Sequence, residues 1–160
     1  MTITVTVNDR EVVDLLDRLL AHTGDLTPAF TDIGQEFESR IRWRFQTQTD
    51  PLGDPWDDWA ESTRKSYPFA GSQAAKKIGQ AGNARVLDRF GDMLGSLNWE
   101  ADSASVRIGF GEPYAAYHEF GTRNMTHRRM LFAEPNTGTL ADDDKQYVLD
   151  VIERFLLSEK

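Results

Sequence analysis

The sequence predicts an α+β domain, with a small mixed or antiparallel sheet of about four strands and helices packed on one face of it. Three observations lead to this class. Some segments alternate polar and apolar residues with the two-residue period of a strand, and others repeat apolar residues at helical spacing. The 160 residues contain no internal repeat and no visible boundary, so we expect one domain spanning residues 1–160.

The N-terminal part predicts a strand followed by a helix. Residues 2–7 alternate, so one face of the strand carries Ile3, Val5 and Val7. Asn8 with Glu11 three residues later forms the pattern of a capping box, and Gly24 is placed to end the helix.

A longer second helix is predicted from Thr27 to about residues 46–49. Thr27 is a candidate cap, and Pro28 suits the first helical position, where its missing N–H is not needed. One apolar stripe follows, formed by Phe30, Ile33, Phe37, Ile41 and Phe45.

The middle of the chain is rich in turns. Residues 50–56 read as a loop, which we expect Trp56 and Trp59 to anchor against the core through their large apolar rings. A short helix is predicted near residues 61–65. Residues 67–83 have weak periodicity and predict a long, mobile loop.

The C-terminal half predicts alternating short elements. We expect a helix over residues 85–97, a hairpin over 97–109 with its turn at 102–103, and a fourth strand over 130–133. A final helix should begin near Leu140, with Asp142, Asp143 and Asp144 complementing its dipole.

The segment between the hairpin and the fourth strand is the most distinctive. Its sequence, YAAYHEFGT over residues 114–122, predicts a tightly packed short helix closed by Gly121. If Phe120 is buried in the core, replacing it with alanine should cost about 3–5 kcal/mol.

Composition argues against some function classes. Net charge is −8, whereas domains that grip DNA usually carry a basic excess, so we expect no specific nucleic-acid binding. A small DNA-binding adaptor remains an alternative, because the arginines cluster at Arg40, Arg42, Arg44, Arg123, Arg128 and Arg129. No apolar run approaches the roughly 20 residues that span a bilayer, so no membrane partner is expected.

The sequence offers no positive sign of catalysis. The chain has no cysteine and no nucleophile elbow, and we expect no catalytic residue, cofactor or metal. His118 and Glu119 start like the HExxH zinc motif, but no histidine stands four positions after His118. A metal-dependent hydrolase using His118, Glu119 and His127 is the least favoured alternative.

Three blocks of the sequence match patterns that occur together in one family. The first runs from Arg44-Phe45 through Pro51 and Gly53 to Trp56 and Trp59, and resembles "F…P.G..W". The second covers residues 86–109 and is similar to "L..G.L..S…V.IG". The third and most specific contains Tyr114, His118, Glu119, Phe120 and Gly121, and resembles "YA..HQFG". Through these blocks the chain resembles the phage virion morphogenesis, or tail completion, family of Mu-like contractile-tailed phages.

Two departures from the family pattern stand in the third block and after it. Glu119 occupies a position where glutamine is common. The turn that follows, with Arg128 and Arg129, lacks the usual prolines.

The resemblance implies a structural protein without an active site. It implies a role in tail completion and head–tail joining, as a ring or neck component that is oligomeric in the assembled particle. The implied partners are other phage tail or connector proteins, and the implied location is the virion, after synthesis in the host cytoplasm. DNA would pass nearby, and negative charge would keep its phosphates from sticking.

Overall fold

The computed structural model describes residues 10–23 and 25–158. Seven helices and two strands occur in this part of the chain. In order they are α1 (Arg10–Thr23), α2 (Thr27–Thr47), α3 (Glu61–Ser66), α4 (Gln73–Ile78), α5 (Asp92–Gly95), β1 (Leu97–Ala101), β2 (Val106–Phe110), α6 (Ala115–Phe120) and α7 (Asp142–Ser158).

Helix α2 is the centre of the fold, packing against the β1–β2 hairpin and α7, while α1 packs against α7. The predicted stripe of α2 is buried throughout, with Ile41 and Phe45 at most 1% exposed. Phe45 meets the ring of Trp56 edge to face at 5.2 Å and that of Phe110 at 6.0 Å. These contacts join the loop after α2 and the hairpin in a single hydrophobic core.

The start of α2 differs in detail from the prediction. Leu26 occupies the cap position, and Pro28 lies in the first turn as expected. Thr27 is already helical, and its backbone N–H donates to the Asp25 carboxylate over 2.9 Å. The Asp25 side chain therefore accepts a hydrogen bond from the first turn of α2, which the Thr27 side chain was expected to do.

The hairpin has the predicted position, but the predicted sheet of about four strands is wrong. The described residues form one sheet with two antiparallel strands, in which Leu97 pairs with Phe110 and Ala101 with Val106. Residues 130–133 are not a strand, because their backbone N–H groups bond mainly to a side chain instead of a neighbouring strand. The predicted strand at residues 2–7 lies outside the described residues, as do Asn8 and Gly24.

A close approach of backbone and ring joins α2 to the hairpin. A Cβ placed on Gly34 would lie 2.3 Å from Cε3 of Trp99. The Trp99 ring lies flush on the helix there, and its indole N–H donates to Glu38 over 2.9 Å. Glycine is required at this position because any side chain would displace the indole.

The region between α3 and the hairpin differs from the predicted secondary structure in two places. Residues 67–83, predicted as a long loop, contain α4, which Ser72 caps by accepting from the Ala75 N–H. The mobility of this segment stays a prediction. Residues 85–91 are turns, and only Asp92–Gly95 is helical in the predicted helix 85–97. Leu87, with φ +64°, is incompatible with a continuous helix.

Helix α7 begins two residues after the predicted start at Leu140 and buries Val148, Val151 and Ile152. The acidic residues of its first turn do not all face solvent, since Asp144 is 1% exposed. No helix in the described ranges is long and apolar enough to cross a membrane.

Candidate assembly site

The carboxylate of Glu119 organises the C-terminal half of the fold. Glu119 is 3% exposed, on the inner side of α6. It accepts hydrogen bonds from three successive backbone N–H groups, those of Met130 (2.6 Å), Leu131 (3.2 Å) and Phe132 (3.0 Å). Since one side chain satisfies three buried donors, residues 130–132 can run through the core without pairing in a sheet.

The charge on Glu119 is influenced by opposing effects. Burial raises its pKa above the ordinary value, although the three backbone donors and the positive charge of Arg44 act in the opposite direction. Both carboxylate oxygens act as acceptors in this arrangement, which matches the ionised form.

Arg128 and Arg129 tie this segment to the loop after α2. The guanidinium of Arg128, 8% exposed, donates to the carbonyls of Asp57 (2.7 Å) and Asp58 (2.8 Å). The carbonyl of Arg129 accepts from the indole N–H of Trp56 over 2.9 Å. The first sequence block and the turn that follows the third block are therefore joined by bonds between side chains and backbone.

Two ion pairs with buried carboxylates support the same region, and the sequence did not reveal either. Asp50 pairs with Arg129 at 2.9 Å and also accepts from the backbone N–H groups of Leu52 and Asp54 in its own turn. Arg44 pairs with Asp144 and donates to the Met130 carbonyl over 2.9 Å. The sequence feature that came nearest to indicating the Arg44–Asp144 pair was the position of Arg44 next to the apolar stripe of α2.

Gly121 ends α6 as predicted, with φ +73°. A Cβ at Gly121 would lie 3.1 Å from both the His127 nitrogen and the Met125 oxygen. The chain turns tightly here, and the Arg128 N–H then donates to the His118 carbonyl over 2.6 Å. Glycine thus permits both the turn and the return of the chain alongside α6.

His118 lies at the edge of α6 and is partly buried. Its Nδ1 atom is buried and has no hydrogen-bond partner within the described chain. Burial is the main reason why its pKa falls from 6.5 to about 4, and the charge of Arg128 adds to the decrease. The ring is therefore neutral at pH 7.

The opposite side of α6 is an exposed aromatic surface, which we call the α6 face and define as Tyr114, Tyr117 and Phe120. Their exposed fractions are 38%, 59% and 41%. Phe120 is therefore not buried in the core, so the condition under which its replacement by alanine would cost about 3–5 kcal/mol is not met. Three aromatic residues spaced three apart form one stripe of a helix, and such exposed apolar stripes are typical of binding surfaces.

A cleft of about 970 Å³ opens beside the α6 face. Tyr114, His118 and Arg128 line one side, and Trp59 and Tyr67 line another. Trp59 was expected to anchor against the core but lies outside the main core cluster. Its ring packs against Tyr67 at 4.7 Å and meets Phe69 edge to face at 5.1 Å in a separate aromatic cluster.

The geometry gives little support to the two alternative functions. Five of the six clustered arginines bond within the fold: Arg40, Arg42, Arg44, Arg128 and Arg129. Glu119 is occupied by backbone donors, and no group of three metal-ligating side chains is placed to hold an ion in residues 10–23 and 25–158.

Comparisons with known proteins identify the family. No curated protein and no solved structure matches the chain significantly. The model of the phage virion morphogenesis family matches residues 7–156, nearly the whole chain. Membership of this family indicates a structural part in building the phage particle. The match includes all three blocks and the segments they position, and the chain therefore belongs to the phage virion morphogenesis family.

Proposed function

We propose that this protein acts in tail completion and head–tail joining, as a subunit of a ring or neck, and that the α6 face docks onto a tail or connector protein. The family match over residues 7–156 is the observation that carries the proposal. The structure adds a surface suited to such a role.

Contacts on the inner side of α6 support the proposal that the α6 face is the docking surface. Glu119 and Ala115 hold the helix against the core, with exposed fractions of 3% and 1%. A helix fixed in this way presents Tyr114, Tyr117 and Phe120 with little freedom to rearrange. Rigid aromatic side chains lose little conformational entropy on binding, which is why they are common among interface residues that contribute most to affinity.

The charge balance supports a place near passing DNA. Net charge is −8, and five of the clustered arginines already bond within the fold. A ring of such subunits would repel phosphates from its wall, so that DNA would pass without binding. A DNA-lining surface rich in unpaired arginine would contradict this part of the proposal.

The first test is electron microscopy of particles assembled without the protein. We expect full heads and tails that remain separate. Normal virions would refute a role in tail completion.

The second test measures the binding of purified tails by the wild-type protein and by Tyr117→Ala. Loss of an interface aromatic residue costs about 2 kcal/mol or more, so we expect roughly a thirtyfold loss of affinity. Leu157→Ala is the matched control, because Leu157 on α7 is 63% exposed and Tyr117 is 59% exposed. Equal affinities of Tyr117→Ala, Leu157→Ala and wild type would rule out the α6 face as the docking surface.

A further inference from the structure

Residues 61–91 differ in charge from the rest of the chain. They contain six basic and two acidic residues, a net charge of +4, whereas the other 129 residues contain 12 basic and 24 acidic residues, a net charge of −12. Four exposed basic side chains lie on α4 and in the turns that follow it, and we call them the basic surface: Lys76, Lys77, Arg85 and Arg89. Because the remainder of the molecule is acidic, this surface attracts the acidic parts of other copies.

Hydrogen bonds fix the position of α4 beside the aromatic cluster, outside the main core. The Gly82 N–H donates to the Pro68 carbonyl over 2.8 Å, and the Asn83 N–H donates to the Arg89 carbonyl over 2.7 Å. The last residue of α4, Ile78, directly follows the two lysines and is 50% exposed. The helix therefore presents an apolar side chain next to basic ones.

An acidic surface with exposed apolar side chains lies where α2 and its following loop meet the start of α7. Trp43 and Leu52 are 62% and 56% exposed, and with Asp143 they line a pocket of about 460 Å³. Asp142 and Asp143 are both exposed. We call Trp43, Leu52, Asp142 and Asp143 the acidic surface. The residues that line the pocket all lie outside residues 61–91, so the acidic and basic surfaces are separate.

We propose that the basic surface of one copy docks on the acidic surface of a second copy, with Ile78 against Trp43 and Leu52. The apolar side chains then cover each other, and the lysines face carboxylates and the face of an indole ring, both of which attract an ammonium group. Because the two surfaces differ, the contact is head to tail, and such contacts close into rings when the rotation between copies allows it. The inference rests on the proposed function, since it identifies the surfaces that join the subunits of the proposed ring.

Disulfide crosslinking between differently tagged copies tests the contact, and the chain has no cysteine that would interfere. The Ile78→Cys and Leu52→Cys proteins are made together in cells that assemble the particles, and the lysate is oxidised. A disulfide needs Cβ atoms within about 4.5 Å, so we expect linked pairs of one copy of each variant, at least about tenfold above the control. Leu157→Cys replaces Leu52→Cys in the control, because Leu157 is 63% exposed but lies at the other end of α7 from Asp143.

Charge reversal distinguishes specific pairing from loss of structure. Adding Lys76→Glu/Lys77→Glu to the Ile78→Cys copy sets like charges opposite Asp142 and Asp143, and should lower the crosslink yield about tenfold or more. Adding Asp142→Lys/Asp143→Lys to the Leu52→Cys copy as well should restore the yield. Such a recovery would not occur if the first substitutions had only unfolded the protein.

Three results would overturn the proposal. One is a crosslink yield equal to that of the Leu157→Cys control, and another is linkage of Ile78→Cys copies mainly to each other, since the contact would then be symmetric. The third is salt-dependent DNA binding that Lys76→Glu/Lys77→Glu removes, without a crosslink above the control, which would assign the basic surface to nucleic acid.

The crosslink and the proposed function can fail separately. Heads and tails that stay separate without the protein, together with no crosslink above the control, would refute this contact and keep the role in tail completion. A strong crosslink together with normal virions in the absence of the protein would keep the contact and refute that role.

Discussion

The layer formed by α2 and the hairpin is held together differently from the segment formed by α6 and residues 128–132. The first buries apolar side chains against each other, as Phe45 does against Trp56 and Phe110. The second relies on polar side chains that bond to backbone, as Glu119 does to residues 130–132. The comparison shows that this fold separates a hydrophobic core from a polar scaffold, and that the scaffold positions the exposed aromatic residues.

Replacing Phe45 with alanine tests the apolar layer and should have the largest effect. Phe45 is 1% exposed, so we expect a loss of about 3–5 kcal/mol in the free energy of unfolding, from lost burial and the cavity that remains. Chemical denaturation measures it. A loss below about 1 kcal/mol would mean that this ring is not central to the core.

Glu119→Gln tests the polar scaffold. An amide has one acceptor oxygen, and its NH2 group would face backbone N–H donors, so we expect a loss of about 1–3 kcal/mol. Glu100→Gln is the control, because Glu100 makes only an exposed ion pair with Arg107 and should change stability by less than about 0.5 kcal/mol. Equal stability of both variants would show that the carboxylate is not needed to hold residues 130–132.

The pH dependence of stability sharpens the role of His118. The pKa of this side chain is 6.5 when unfolded and about 4 in the fold, so between these values the unfolded state binds more protons. Stability should therefore rise with pH from about 4 to 6.5, and the contribution should be constant above that range. Because the side chain is only partly buried, we expect about 1 kcal/mol over this range.

The variant His118→Gln isolates this effect from the titration of carboxylates. The difference in unfolding free energy between wild type and the variant, measured across pH 4 to 7, should change in the direction given above. A constant difference would mean that His118 titrates normally in the folded protein.

Phe120→Ala should have the smallest effect on stability, below about 1 kcal/mol, because the ring is 41% exposed. This is the same substitution as Phe45→Ala in the opposite environment. A loss of about 3 kcal/mol or more in chemical denaturation would place Phe120 in the core after all and would remove it from the α6 face.

Apolar spacing along the sequence predicted the structure correctly where the buried residues recur with the period of a helix or a strand. The stripe of α2, the position of the hairpin and the glycine that ends α6 were all predicted from the sequence. The hairpin turn was expected at residues 102–103, whereas the pairing of Ala101 with Val106 centres it on residues 103–104. The predicted helix over residues 85–97 was wrong, because apolar residues there pack from turns, with Leu87 at φ +64°. Apolar spacing does not distinguish a helix from a series of turns when each turn also buries one side.

The sequence by itself determined the family, the α+β class, the main helices and the hairpin, because these depend on residues close together along the chain. Only the tertiary structure decided that Glu119 binds backbone eleven to thirteen residues away, that Arg44 reaches Asp144 across one hundred residues, and that Phe120 faces outward. Polar side chains such as Glu119 and Arg44 carry no periodic signal. Their partners depend on which distant backbone and charged groups the folded core brings within hydrogen-bond distance.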